Sequence, residues 1–459
     1  MRTEPELQEK VSEVATRLNV PGVAVGVAIG PATHVAFHGV TNLDEPLPVD
    51  AGTLFQIGST GKTYTATALM QLVEQGRVEL DAPVRTYVPE LRLKDEQVAH
   101  DVTVLHLLNH TAGWDGDFFK DTGEGPDALD LFMRAMANLE QVTPLGSMVS
   151  YNNASLGLAG LVIERVTGQP YEEVVRSRVL QPLGLEHTTF DREVITSHRY
   201  ANGHYRAQDG ATTVGQLWEP GRYGLPQGAV ISSDVSDQLA WARFHMGDGT
   251  APDGTRILSR ESLERMQTAT ASCAGSALGD AVGISWFLRD IGDARVVFHG
   301  GATAGQLSYF EMIPEHSFAM ASLTNCAPVG DAFNDEIMRW TFASYLGLDM
   351  SEPEPLALST DALADYVGTY HSIAVVYTLE LTGEDLMVSY VEDPEALAEL
   401  GEEPSDEPPE PIGILPGGGD RFVVTAGSSR GMHGYFTRNA NGRVDGIHVG
   451  GRYARRAES

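Results

Sequence analysis

The chain has 459 residues, which is enough for about two to four domains, and 42% of them are hydrophobic. This content is ordinary for a folded globular protein and excludes a wholly disordered or fibrous chain. Sixty-three acidic and 31 basic residues give a formal charge of −32, which disfavours binding to nucleic acid or to an anionic membrane surface.

The basic residues are mostly arginines. Only four of the 31 are lysines: Lys10, Lys62, Lys94 and Lys120. A surface rich in carboxylates and poor in lysine is typical of proteins that work in concentrated salt, where screening removes self-repulsion. Biased genome composition together with one acidic loop is the alternative. The sequence therefore leaves halophilic adaptation as one of two equal interpretations.

Cysteines, histidines and the N-terminus limit cofactor chemistry and location. Cys273 and Cys326 are too few for a disulfide framework or a cysteine metal site, and we expect both to be buried. The histidines show no metal-ligand spacing, so we predict no metal and no cofactor. With no signal-peptide pattern and no run of about 18 apolar residues, we expect a cytoplasmic protein that does not enter a membrane.

The first predicted elements are a helix and a hairpin. Apolar residues at helical spacing predict a helix over residues 4–18, which Pro21-Gly22 ends. Val23–Ile29 and His34–Val40 follow as β-rich segments separated by a Gly-Pro turn.

After a long helix-like stretch, strand character returns only at Arg295–Phe298, Leu307–Ile313 and Phe318–Thr324, before a helix at Ala332–Leu346. The strands thus lie at the two ends of one unit, with a helical region inserted between them. We predict an α/β (α+β) sandwich in which an antiparallel sheet is flanked by helices.

A second, all-β unit is predicted beyond residue 362. Linker composition with Pro353 and Pro355 suggests the division 1–346, linker 347–362 and 363–459. The predicted strands are Tyr366–His371, Tyr377–Leu381, Asp385–Tyr390, Phe422–Thr425, His433–Thr437, Val444–Val449 and Arg452–Arg456. Short meandering strands indicate a small antiparallel β-barrel. Within it, Glu392–Pro411 has nine acidic residues and five prolines, which predicts a mobile loop.

The strongest chemical signal is Ser59-Thr60-Gly61-Lys62 at the start of a mostly apolar helix. Residues three apart share a helix face, so the Lys62 amine can reach the Ser59 hydroxyl. A lysine whose pKa is depressed by burial can take the serine proton, and the free amides of the helix end supply half of an oxyanion hole. The alternative is an exposed helix start, but arginine, which this chain otherwise prefers, cannot act as a base.

Two further motifs are weaker when taken alone. In Tyr151-Asn152-Asn153 the phenol can shuttle a proton and the Asn153 amide can orient Lys62, although Asn153 is also a good helix N-cap. In His299-Gly300-Gly301-Ala302 the glycines let a substrate lie against an edge strand, and the Ala302 amide can complete the oxyanion hole. The alternative here is a strand-end turn with an incidental histidine.

A second serine motif is a decoy. Gly427-Ser428-Ser429-Arg430-Gly431 fits the nucleophile-elbow pattern, with Asp445 and His448 in the right order. The elbow needs a helix after its serine, whereas the following residues resemble a strand. We therefore do not assign a catalytic role to this segment.

In order and spacing, the first three motifs resemble those of the serine β-lactamase and penicillin-binding-protein superfamily, in particular the class C β-lactamase, D-aminopeptidase and esterase branch. The likeness covers about residues 5–346. It includes the segments Val20–Ala24, Thr53–Phe55, Leu107–Gly113 and Pro182–Leu185. The C-terminal unit, through Tyr366–Tyr370, resembles the lipocalin-like domains attached to some members.

The resemblance implies that Ser59 is the acylated nucleophile and that Lys62 and Tyr151 share the general-base and proton-shuttle work. It also implies that the amides of Ser59 and Ala302 form the oxyanion hole, with Gly301 beside the substrate. His299 joins the catalytic set in the place where β-lactamases have a lysine, so the permanent cation for a substrate carboxylate is missing.

The implied function is an acyl-serine hydrolase that cleaves a small peptide, amide or ester, of D-amino-acid peptidase or esterase type rather than a true β-lactamase. A slowly turning-over penicillin-binding or sensing protein is the alternative. Asn153 and Trp114 are expected to line the substrate site, and His110 to be structural. A small molecule or short peptide is the expected partner, and the sequence leaves a homo-oligomer open.

The acidic loop allows two interpretations. In relatives of the D-aminopeptidase type, an accessory-domain loop is thought to reach the active site, and Glu392–Pro411 is placed to do the same for a substrate amine. A solvated loop without function is the preferred alternative, because charge runs usually lie on the surface.

Overall fold

The structure is a computed structural model that describes residues 3–207, 209–215, 221–351, 353–394 and 408–457. In chain order its strands are β1 (Gly22–Ile29), β2 (Ala32–Gly39), β3 (Phe55–Gln56), β4 (His204–Arg206), β5 (Thr212–Val214), β6 (Ser232–Ser233), β7 (Ala271–Ser276), β8 (Gly279–Val282), β9 (Phe287–Ile291), β10 (Ala294–Thr303), β11 (Gln306–Ile313), β12 (Phe318–Thr324), β13 (Gly368–His371), β14 (Val375–Thr382), β15 (Asp385–Glu392), β16 (Glu410–Ile414), β17 (Arg421–Val424), β18 (His433–Arg438), β19 (Val444–Val449) and β20 (Arg452–Arg456).

The helices are α1 (Glu4–Leu18), α2 (Lys62–Glu74), α3 (Glu96–Asp101), α4 (Val104–Leu108), α5 (Ala128–Ala135), α6 (Asn153–Thr167), α7 (Tyr171–Val175), α8 (Gln181–Leu183), α9 (Arg192–Ser197), α10 (Val235–Met246), α11 (Arg260–Met266), α12 (Val329–Thr341) and α13 (Thr360–Leu363). A capping contact opens α1, where the Thr3 amide donates to the Glu6 carboxylate at 2.8 Å.

An eight-stranded antiparallel sheet organises the first part of the chain. Its strands lie in the order β2-β1-β12-β11-β10-β9-β8-β7, so the N-terminal hairpin pairs with β12 at the far end of the unit. Helices α1 and α12 pack on one face, and the inserted helical region covers the other. The predicted sandwich of an antiparallel sheet flanked by helices is thereby confirmed.

The expectation that strand character returns only at residue 295 is wrong. Strands β7, β8 and β9 precede β10 and complete the sheet. The sequence of β7, ASCAGS, consists of small residues with little preference for strands, so its pattern carries no clear signal. Strand β10 also runs to Thr303, which places the whole His299–Ala302 motif within the sheet.

Strands β13 to β20 form a closed antiparallel barrel in sequence order. Closure comes from pairing of the first and last strands, in which Tyr370 faces Arg456. Seven of these strands were predicted, and the barrel itself is confirmed. Strand β16 was missed, because Glu410 and Pro411 were included in the predicted acidic loop. Residues 395–407 of that loop lie outside the described residues.

The decoy motif at residues 427–431 joins β17 to β18, so a strand follows it instead of the helix that an elbow requires. Both cysteines are buried, as predicted: Cys273 is 2% exposed and Cys326 is 0% exposed. Among the described residues, no helix is both long enough and apolar enough to cross a membrane. The division at 347–362 stays a proposal.

Candidate active site

Ser59 and Lys62 lie at the start of a helix that is buried over most of its length. Ser59 is in the 3₁₀ turn Gly58–Gly61, which leads directly into α2, and residues 62–72 of that helix are all buried. The Lys62 Nζ donates to the Ser59 Oγ at 2.8 Å and to the Gln227 carbonyl oxygen at 2.5 Å. The predicted contact between this serine and this lysine is therefore present.

Burial decides the protonation state of Lys62. The residue is 0% exposed, and loss of water around its amine lowers its pKa well below the ordinary value. The Arg452 cation lowers the Lys62 pKa further, while the Asp117 carboxylate acts in the opposite direction. A neutral amine that holds the serine oxygen is equipped to accept its proton.

Tyr151 stands at the centre of the site. Its ring centroid is 5.0 Å from the Lys62 Nζ, 4.6 Å from the ring of His110 and 4.8 Å from the Arg452 guanidinium carbon. Burial raises the pKa of Tyr151, and the Ser59 hydroxyl and Arg452 only partly oppose this. Tyr151 is thus a neutral phenol near pH 7, able to donate and accept one proton.

His299 is a neutral hydrogen-bond acceptor. Its Nδ1 is 2.6 Å from the Gly300 carbonyl oxygen, and since a carbonyl only accepts, Nδ1 carries the proton. Burial lowers the pKa of His299 to about 3, so Nε2 keeps its lone pair. Among the described residues, this buried Nε2 has no hydrogen-bond partner. The third motif therefore offers an acceptor where a lysine would offer a cation.

Two glycines bring β10 against the turn that carries Ser59. A Cβ on Gly301 would lie 2.0 Å from the Ile57 carbonyl oxygen and 2.8 Å from the Ser59 amide nitrogen. A Cβ on Gly58, which has a φ of +51°, would lie 2.9 Å from the Ala302 amide nitrogen. Glycine is the residue that permits this approach. The amides of Ser59 and Ala302 are consequently close, as an oxyanion hole requires.

Among the described residues, no strand pairs with His299–Thr303 of β10 on the side of β9. Strand β9 pairs with β10 only from Ala294 to Phe298, and β11 pairs with the remainder up to Thr303. A substrate can therefore lie along His299–Thr303 as an additional strand.

Asn153 is placed differently from the prediction. Its Nδ2 donates to the Asp117 Oδ1 at 2.9 Å, and the amine of Lys62 is bound by Ser59 and Gln227 instead. The N-cap of α6 is Asn152, whose side-chain oxygen accepts from the Ser155 amide at 2.9 Å. Asn153 is thus the first helical residue, with its amide held by a carboxylate.

His110 and Trp114 both form hydrogen bonds with Asn152, the residue next to Tyr151. The His110 Nδ1 accepts from the Asn152 amide at 3.0 Å, so the structural role expected of this histidine agrees with its contacts. The Trp114 carbonyl oxygen accepts from the Asn152 side chain at 2.9 Å, and its ring is 2% exposed. Trp114 is packed in the core beneath the site.

The barrel completes the site from its other side. The Tyr151 amide donates to the Gly451 carbonyl oxygen at 2.8 Å, and the Tyr453 amide donates to the Ser150 Oγ at 3.2 Å. His448, with Nε2 at 2.9 Å from the Val149 carbonyl oxygen, is fully buried at this junction. The end of the barrel where β19 turns into β20, which begins at Arg452, is therefore hydrogen-bonded to the segment that contains Tyr151.

Three residues of the site were missed by the sequence interpretation: Asp117, Gln227 and Arg452. Gln227 contributes a backbone carbonyl, which any residue type has, and Arg452 is one of several arginines in β20. An acidic pair after Trp114, Asp115 and Asp117, was the available signal. Among the described residues, no group of three His, Cys, Asp or Glu side chains is arranged to hold a metal ion.

Comparison with known proteins identifies relatives by sequence. The family model described as Beta-lactamase matches residues 7–341. Penicillin-binding protein 4 of Amycolatopsis lactamdurans is 34% identical over 371 residues, which make up 79% of this chain and 96% of that protein.

Solved structures of two proteins match over nearly the whole chain. SurE, whose structure was also determined with D-Leu, has a TM-score of 0.75 at 22% identity, covering 99% of each chain. The octameric penicillin-binding protein homologue from Pyrococcus abyssi has a TM-score of 0.67 at 22% identity, covering 98% of this chain and 99% of that one. The fold, including the barrel, is thus shared with both.

Proposed function

Because this chain belongs to the β-lactamase family, we propose that it is an acyl-serine hydrolase that cleaves a small peptide, amide or ester through a covalent intermediate at Ser59. The observation that carries the proposal is the 2.8 Å contact from the buried Lys62 amine to the Ser59 hydroxyl. A lysine with a lowered pKa beside a serine is the arrangement that converts a weak nucleophile into an effective one.

In the acylation step, the Lys62 Nζ takes the Ser59 proton while the Ser59 Oγ bonds to the substrate carbonyl carbon. The carbonyl oxygen becomes negative and is stabilised by the amides of Ser59 and Ala302. The bond to the leaving group then breaks, and Tyr151 gives its proton to that group while it takes the proton that Lys62 had accepted, which restores both the phenol and the neutral lysine. We assign the first proton to Lys62, because the raised pKa of Tyr151 leaves no phenolate near pH 7.

In deacylation, Lys62 takes a proton from a water that attacks the acyl carbon. The bond from that carbon to the Ser59 Oγ then breaks, the acid is released, and Lys62 returns the proton to Oγ. The neutral His299 supports peptides and esters as substrates over β-lactams, because this side chain offers no cation to a substrate carboxylate. The structure of SurE with D-Leu supports a D-amino acid at the scissile bond.

Substitution of the nucleophile tests the proposal. Ser59→Ala should abolish labelling by a fluorophosphonate probe and turnover on p-nitroanilides and p-nitrophenyl esters of D- and L-amino acids, because the attacking oxygen is gone. Ser429→Ala is the matched control and should keep both, since its segment joins two barrel strands. Full labelling of the Ser59→Ala variant would contradict the assignment.

A slowly turning-over penicillin-binding or sensing protein is the second candidate. The 34% identity with penicillin-binding protein 4 supports it. An activated ester separates the two: the hydrolase should release p-nitrophenol continuously, whereas the sensor should give one equivalent per chain and then stop. Retention of a penicillin adduct for hours by mass spectrometry would favour the sensor.

Association of copies is a further part of the proposal. The homologue from Pyrococcus abyssi is described as octameric, which supports an oligomer here. Light scattering on the full chain should give a mass at least twice the 49.4 kDa of one chain. A monomer at micromolar concentration would remove this part and leave the chemistry untouched.

A further inference from the structure

Arg452 connects the barrel to the catalytic residues. Its Nε is 2.7 Å from the Asp117 Oδ2 and its Nη2 is 3.1 Å from the Asp117 Oδ1, so the carboxylate is held by two parallel bonds. The guanidinium carbon lies 4.8 Å from the centroid of the Tyr151 ring. The Arg452 side chain thus contacts the side chains of both Asp117 and Tyr151.

Asp117 also connects Arg452 to Asn153. Its Oδ1 accepts from the Asn153 Nδ2 at 2.9 Å as well as from Arg452. The adjacent Gly451 carbonyl oxygen accepts from the Tyr151 amide at 2.8 Å. The barrel therefore fixes the ring and backbone of Tyr151 and, through Asp117, the first residue of α6.

We propose that Arg452 is a positioning residue for the reaction at Ser59: it holds Tyr151 and Asn153 and neutralises Asp117, so that Lys62 does not face an uncompensated carboxylate. The proposal rests on the proposed function, because it concerns the activation of Ser59. It gives the barrel a part in the chemistry of a site whose other residues all precede residue 347.

Among the groups that face Lys62, Arg452 and Asp117 are the charged pair that acts on the pKa of its amine. Tyr151, His110 and His299 are neutral near pH 7, since burial raises the pKa of the phenol and lowers the pKa of both imidazoles. Asp115 is two residues before Asp117 in the chain, and burial raises the pKa of the Asp115 carboxyl to about 6.

Removal of Arg452 takes away the counter-charge of the Asp117 carboxylate, which favours the protonated form of Lys62. Removal of Asp117 alone has the opposite sign, because the arginine cation then repels a proton on Lys62. Loss of both charges should largely cancel.

The rate of fluorophosphonate labelling between pH 5 and 9 tests this on the full chain. The probe has no carboxylate, so its reaction reports activation of Ser59 and not recognition of a substrate carboxylate. Arg452→Met should move the pH midpoint of labelling upward by about one pH unit, which slows labelling by about tenfold at pH values below the midpoint of the parent. Arg452→Lys should recover part of the shift, because it keeps the charge but not the two-bond geometry.

Asp117→Asn should move the midpoint below that of the parent, and the double variant Arg452→Met with Asp117→Asn should return close to it. Arg443→Met, at an exposed arginine of the barrel, is the control and should keep the parental profile. Thermal melting checks the folding of each variant, and Asp117→Asn gives a separate test if Arg452→Met does not fold.

Two outcomes separate the inference from the function. A labelled parent whose Arg452→Met and Asp117→Asn variants keep its midpoint, with only a uniform loss of rate, would overturn the positioning role and leave the hydrolase intact. A parent that is never labelled would overturn the proposed function and the inference with it.

Discussion

The protonation state of one side chain controls the chemistry proposed for Ser59. Lys62 is fully buried, and its amine donates hydrogen bonds to the Ser59 hydroxyl and to one backbone carbonyl. Burial disfavours the charged form, which is why the Lys62 pKa falls well below its ordinary value.

Replacing this base by a permanent cation should stop the reaction. Lys62→Arg keeps a positive side chain but cannot accept a proton, so we predict a loss of at least about 10³-fold in kcat with the fold retained. Steady-state kinetics on the most active ester, with circular dichroism as the folding check, measures this. Lys94→Arg, at a lysine side chain that is 56% exposed, is the control. Near-parental activity of Lys62→Arg would make the lysine structural.

The limits of the sequence interpretation are clearest for single residues. Ser59 and Lys62 are three residues apart, and helix geometry alone brings such residues together. Asp117 and Arg452 are 335 residues apart and meet only because the barrel docks on the Tyr151 segment. No local periodicity encodes that contact, so this half of the site could not be predicted without a structure.

Among the elements, several strands have the bounds that the sequence predicts. Strand β12, which is buried at every residue, has the predicted bounds, and β19 and β20 also match. Two of the missed strands contain small or turn-forming residues: β7, and β16, where Pro411 and Gly413 interrupt the pattern. Pairing with neighbouring strands, rather than propensity, determines those two.

The layer between β11 and α12 contains a carboxyl group that opposes stability at high pH. Glu311 is 3% exposed, and burial raises its pKa from the ordinary 4.5 to about 7, although Arg289 lies 3.3 Å away. The folded chain therefore keeps this proton up to about pH 7, whereas the unfolded chain releases it near pH 4.5. The free energy of unfolding consequently falls as pH rises through that window.

Glu311→Gln removes this titration. We predict that the stability of the variant relative to the parent increases between pH 5 and pH 8, by about 2 kcal/mol, because only the parent must ionise a buried group. Urea unfolding at both values of pH measures the difference. Glu380→Gln, on the exposed face of β14, should show no such pH dependence. A constant difference between Glu311→Gln and the parent would show that the carboxyl ionises freely.

At the scale of the whole molecule, the barrel is joined to the sheet-and-helix unit through the site itself. The bonds of Gly451 and Tyr453 to the 150–151 segment and the buried contact of His448 with Val149 all lie next to Tyr151. A displacement of the barrel would therefore move catalytic side chains. This arrangement agrees with relatives that share both parts over nearly their entire length.

The net charge of −32 makes salt a test of the whole surface. We predict that the melting temperature rises between about 10 mM and 1 M NaCl, because the screening length falls from about 30 Å to about 3 Å and repulsion among carboxylates weakens. Changing four exposed glutamates to glutamine, Glu9, Glu354, Glu380 and Glu384, should raise the melting temperature at low salt and reduce its salt increment. Replacing NaCl by sucrose of equal osmolarity separates screening from general exclusion effects. An unchanged melting temperature over this range would favour biased composition over salt adaptation.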